Sequence, residues 1–85
     1  MNKPIKALFT TSVLLERKDA DGTTTISHSL HWVTADTHEE AIAAALQAAK
    51  RLKPALDVTD VICGNTATGA VKRMAFSENK PAETY

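Results

Sequence analysis

The sequence is poor in the features that most often announce a function. It has one cysteine, Cys63, in 85 residues. A single thiol cannot build an internal disulfide framework, which excludes the stapled small secreted domains and points to a reducing, bacterial-type cytoplasm. Ten basic and ten acidic residues give a formal net charge of zero. That excludes the globally basic surface with which nucleic-acid binders neutralise phosphates, and it leaves little repulsion against self-association. No apolar run approaches the ~20 residues needed to cross a bilayer, so no membrane partner is expected. Aromatic residues are scarce: Phe9, Trp32, Phe76 and Tyr85. A base-stacking surface needs exposed aromatics, and the alternation described below places Phe9 and Trp32 in the core.

What is present reads as one small α+β domain over residues 1–76, followed by a polar tail at 77–85 that contains Pro81. There is no internal repeat and no low-complexity segment. The apolar and charged fractions are those of an ordinary globular chain. A small domain buries a modest share of its surface, about 60% at roughly 60 residues, so its stability is marginal. At the N-terminus, Lys3 and Lys6 before Ala7-Leu8-Phe9 resemble the start of a signal peptide. Thr10, Thr11 and Ser12 interrupt the apolar stretch, and Glu16, Arg17 and Lys18 occupy the place of a cleavage site. An ordinary first strand is the better reading.

From Ile5 to Arg17 the residues alternate. Ile5, Ala7, Phe9, Val13 and Leu15 share one parity, while Lys6, Thr10, Ser12 and Glu16 share the other. Period-two alternation predicts a half-buried strand. Asp21-Gly22 predicts a hairpin turn, because glycine accepts the positive φ such turns require. Thr23 to Thr34 predicts a second strand with Ile26, Leu30 and Trp32 on its buried face and Thr25, Ser27, Ser29 and His31 outward. Leu8, Leu14 and Val33 fall on the outer face of this hairpin.

Thr37-His38-Glu39-Glu40 then fits a capping box, in which the N-cap hydroxyl and the third-position carboxylate satisfy each other's backbone donors. Asp36 with Glu39 fits one residue earlier. Ile42, Ala45, Leu46, Ala49 and Leu52 recur at helical spacing. Lys50, Arg51 and Lys53 complement the negative end of the helix dipole, and Pro54 ends the helix after about fifteen residues. Val58 to Cys63 predicts a third strand, and Ala70 to Phe76 is a candidate fourth whose pattern Lys72 and Arg73 weaken. The expected fold is an antiparallel sheet of three to four strands in β-β-α-β-β order with the helix on one face. An alanine-rich helix about 10 Å across is too narrow for a sheet of four strands at ~4.8 Å spacing. A second copy of the chain is therefore expected to complete the fold, with Leu8, Leu14 and Val33 as interface residues.

Candidate sites divide between structural and functional readings. His28 and His31 are three apart on a strand and point oppositely, which argues against a shared metal site. His38, Glu39 and Glu40 are explained by capping and the helix dipole. Cys63 beside Gly64-Asn65 has the type of a nucleophile but lacks a local signature. Asp19, Asp21 and Gly22 lack the spacing and closing glutamate of a calcium loop. No catalytic residue, metal or cofactor is assigned. The binding candidates are His28 and Trp32, which would line a small-molecule pocket or minor active site beside the helix, and Lys50, Arg51 and Lys53. The last three, with Lys72 and Arg73, would grip a phosphate backbone or an acidic partner.

The turn ending in Asp21-Gly22, the strand after it, and Asp36-Thr37-His38-Glu39-Glu40-Ala41 opening a helix resemble the HicB-like antitoxins of bacterial toxin–antitoxin pairs, which carry an acidic turn and a Thr-x-Glu-Glu-Ala helix start. The resemblance covers about a quarter of the chain and implies an antitoxin-like regulator. The family has three strands before its helix, where only one fits here between Gly22 and Thr37. Its Pro-Gly segment and DNA-binding extension have no counterpart. The reading with most support from the residues is a non-enzymatic binding or assembly module acting as a homodimer through its sheet.

Overall fold

The computed structural model describes residues 6–76. Ile5 and the tail at 77–85 lie outside them. Five elements follow in the expected order: β1 (Ala7–Lys18), β2 (Thr24–Ala35), α1 (His38–Leu52), β3 (Asp57–Asn65) and β4 (Val71–Ala75). The four strands form one antiparallel sheet in the order β2-β1-β3-β4. β1 is therefore central, and β2, α1 and β3 make a split β-α-β unit around it. Both β2 and β3 run antiparallel to β1, so the chain must cross the sheet between them, and α1 is that crossing.

The helix begins as its capping residues dictate. Thr37 is the N-cap in extended geometry, and its Oγ1 accepts from the Glu40 amide at 3.1 Å. The Glu40 carboxylate reaches back one residue further than a capping box requires and accepts from the Asp36 amide at 3.0 Å. Two amides at the start of the helix thus find side-chain acceptors. At the other end, Lys53 caps the helix and donates from its backbone to Ala49 O at 2.9 Å before Pro54 turns the chain.

Ala41, Ile42, Ala45 and Ala49 bury one helix face against Phe9, Val13 and Leu15 of β1 and Val61 and Cys63 of β3. The small alanines let the helix lie close to the sheet. Leu52, expected on this stripe, is 67% exposed. Leu56 is buried instead. The Lys50 ammonium donates to Leu56 O at 2.7 Å, which folds the segment after Pro54 back under the last helical turn.

The hairpin register overturns one expectation. The Asp19 amide donates to Thr23 O at 2.8 Å and the Gly22 amide to Asp19 O at 3.0 Å, with Gly22 at φ +93°. This is a three-residue loop closed by a left-handed glycine. It pairs Asp19 with Thr23, so odd residues of β1 oppose odd residues of β2: Val13 faces Ser29, Thr11 faces His31 and Phe9 faces Val33. Side chains alternate faces, and a one-residue change of register turns every one of them over. Ile26, Leu30 and Trp32 consequently lie on the face away from the helix, and Ser27, Ser29, His31, Val33 and Ala35 on the helix side.

A bulge corrects the phase of β3. The partners of Leu14 and Leu15 are Asp60 and Val58, so Thr59 is the extra residue. Its hydroxyl donates to Leu14 O at 3.3 Å, and the Val61 amide donates to its neighbour's carboxylate, Asp60 Oδ1, at 3.0 Å. The extra residue lets Val58 face the helix with Val61 and Cys63 despite the odd spacing.

Candidate functional site

Among the described residues, one whole face of the sheet is left open by the helix. The register lays its side chains out in rows: Trp32, Thr10, Gly64 and Val71; then Leu30, Ser12, Ile62 and Arg73; then His28, Leu14, Asp60 and Ala75. Trp32 is 65% exposed, Ile26 62% and Val71 66%, and Leu30, Ile62 and Leu8 are exposed beside them. Gly64 makes a shallow saddle in the first row. A methyl group there would meet Thr10 Oγ1 at 3.6 Å and Val71 Cγ2 at 3.7 Å, which is ordinary contact.

Two pairs of polar side chains on this face bond each other. Arg73 binds Asp60 through two nitrogens, with Nη2 to Oδ2 at 2.7 Å and Nε to both oxygens at 3.1 Å. The His28 ring bonds the Ser12 hydroxyl. Such internal pairing leaves the apolar side chains as what the face offers to a partner.

Several expected placements change with the register. His28 and Trp32 are exposed on the open face, on the opposite side of the sheet from the helix, so they do not line a pocket beside it. Trp32 is not in the core. Val33 is packed on the helix-side core and is not available to an interface on the open face. Leu8 is exposed and Leu14 half-buried on that face, as the alternation predicts. His31, expected to face outward, is half-buried on the helix side, where its Nε2 lies 2.5 Å from the buried Ser29 hydroxyl. Ile26, Leu30, Ile62 and Val71 belong to the open face without having been singled out as site residues. The local determinant is Asp19: it accepts from the Gly22 amide and donates to Thr23 O, which sets the even-sum register.

Cys63 is fully buried beneath the helix and accepts a long hydrogen bond from the Thr11 hydroxyl at 3.6 Å. Thr11 stands between His31 and Cys63 in one cross-strand row. Two strand spacings, about 9.6 Å, separate histidine from thiol, too far for proton transfer between them. His38 makes an edge-on contact with the Phe9 ring at 4.9 Å, and its Nε2 lies 3.0 Å from Ala70 O. It ties the helix start to the loop before β4.

The basic residues do not converge. Lys50 is engaged at the helix C-terminus with Leu56 O and, at 3.9 Å, with Asp57. Lys72 pairs with Glu39 at the helix N-terminus, eleven residues from Lys50 and about 17 Å away along the helix. Arg73 points to the opposite face of the sheet. A single phosphate-binding surface made of all five is therefore not formed. The Lys72 hydrogen bond holds the Glu39 carboxyl below its ordinary range. Asp21 is likewise lowered, first by the Thr23 amide at 3.0 Å and then by the Thr23 hydroxyl at 2.7 Å. These bonds close the hairpin loop. Among the described residues no group of three or more His, Cys, Asp or Glu side chains is placed to hold a metal ion, and no helix is long and apolar enough to cross a membrane.

In comparisons with protein families, with curated proteins and with solved structures, nothing matches the chain.

Proposed function

We propose that the chain is a small non-enzymatic assembly module that works as a homodimer through its sheet, in a reducing, bacterial-type cytoplasm. The observation that carries this reading is the open sheet face, where Ile26, Leu30, Trp32, Ile62 and Val71 are all exposed together. A group of exposed apolar side chains on one face of a small protein marks an interaction surface. A second copy suits it for two reasons. Asp60 and Arg73 already neutralise each other there, which favours an apolar partner over that part of the face. The formal net charge of zero also puts no general repulsion between copies. The buried free thiol of Cys63 is in keeping with a reducing compartment.

Sedimentation velocity from about 1 to 100 μM tests the proposal, with Val71→Asp as the perturbation. Val71 is two-thirds exposed, so the variant is expected to keep its fold by circular dichroism and lose the face contact. A wild-type chain that stays monomeric at 100 μM refutes the reading, as does a Val71→Asp variant that associates as the wild type does.

A further inference from the structure

The two edges of the sheet are unlike. β4 is five residues long and carries Lys72 and Arg73. Short length and basic side chains are the devices that keep an edge from pairing with another chain. β2 is twelve residues long, Thr24–Ala35, and contains no Asp, Glu, Lys, Arg or Pro. It lacks those protections, although among the described residues no other strand lies beside it.

The backbone direction of β2 follows from the turn. Asp19 and Thr23 form a hydrogen-bonded pair, with 2.8 Å from amide to carbonyl. Bonded and non-bonded pairs alternate along an antiparallel ladder, so Thr25, Ser27, Ser29, His31 and Val33 bond to β1. On the far side of β1 the phase agrees, since Leu8 O accepts from the Thr66 amide at 3.0 Å. Ile26, His28, Leu30, Trp32 and Thr34 therefore turn their N–H and C=O groups outward along the edge. These same residues carry their side chains on the open face.

The geometry points to a second contact between copies of this chain: β2 pairs antiparallel with β2 of another copy, joining two sheets into one of eight strands. Opposed residues in such a pair share a face, so the two-fold axis falls on a residue, and the middle of Thr24–Ala35 offers Ser29 or Leu30. An axis on Leu30 sets Leu30 against its own copy and His28 against Trp32. An axis on Ser29 sets His28 against Leu30 and Ile26 against Trp32. Neither register opposes charge to charge, and both continue the apolar face across the junction. This edge is distinct from the face contact proposed above. The two together close four chains around perpendicular two-fold axes.

Amide hydrogen exchange followed by NMR tests the edge contact at 100 μM. In wild-type protein the even amides from Ile26 to Thr34 are expected to exchange roughly a hundredfold slower than free-chain rates, as the odd ones do. Val71→Asp, three strands away on the other edge, is expected to keep that protection while halving the assembly mass. His28→Pro removes one outward amide without touching the β1 ladder, a place where an edge strand tolerates proline. It is expected to halve the mass by cutting the edge contact, whereas His28→Ala leaves the mass unchanged. Even amides that exchange at free-chain rates in an associated wild-type protein overturn the edge proposal and leave the face reading standing. Protected even amides with a mass indifferent to Val71→Asp support the edge and overturn the face reading. A monomer at 100 μM overturns both.

Discussion

The sharpest consequence concerns Trp32, the only tryptophan in the chain. It is 65% exposed on the open face of one copy. A tryptophan side chain presents on the order of 250 Å², so about 160 Å² is available to a partner. At ~25 cal/mol per Å², full covering contributes about 4 kcal/mol per copy. Half covering in each of two copies comes to the same total for the pair. Trp32→Ser is thus expected to weaken the face-to-face pair by about a thousandfold in Kd. The isolated fold is expected to lose little, within about 0.5 kcal/mol, because the side chain makes no core contact. Sedimentation velocity measures the first effect and urea unfolding of the monomer the second. The indole emission provides an independent signal, moving to the red on dilution as Trp32 is released to water. A Trp32→Ser variant that unfolds several kcal/mol more easily as a monomer, or that associates as tightly as the wild type, would refute the placement of this strand face.

Other expectations concern the fold itself. Thr37→Ala removes the acceptor for the Glu40 amide and should cost about 1 kcal/mol, lowering Tm by roughly 4–8 °C in calorimetry. Leu56→Ala should cost about 2–5 kcal/mol in urea unfolding, while Leu52→Ala, at a helix end facing water, stays within about 0.5 kcal/mol. Glu39 has a lowered pKa in the folded state, chiefly from its hydrogen bond to Lys72. Its stabilising contribution is present above the ordinary glutamate value of 4.5 and is lost as pH falls through the folded value below it. Glu39→Gln should therefore lower Tm at pH 7 and match the wild type once both are titrated in acid. A constant offset at every pH would place the effect in the helix start rather than in the ion pair.

Local chemistry made much of the architecture legible. Thr37 and Pro54 bound the helix because capping and the proline ring act within a few residues. Asp21-Gly22 located the hairpin because a positive φ must fall on glycine there. The alternation of Phe9, Val13 and Leu15 gave the buried face of β1, since that strand is central and meets the helix directly. The candidate site was less legible. Leu8 and Leu14 were read on the open face, but Ile26, Leu30 and Trp32 were read into the core, because apolar side chains on an alternating strand normally face inward.

The sequence by itself determined the order of the elements and the limits of the helix, because these depend on contacts between residues near one another in the chain, while it left the fourth strand open. Which side of β2 meets the helix was decided in the folded loop and was not read from the alternation of the strand. That choice hangs on a single residue of loop length between Asp19 and Thr23, and both parities of the strand were compatible with its composition. Tertiary structure alone decided that β3 joins β1 rather than β2, that Thr59 bulges to bring Val58 inward, and that Leu56 takes the buried place expected of Leu52. Each of these is set by how separate segments share one core, a condition no single segment encodes.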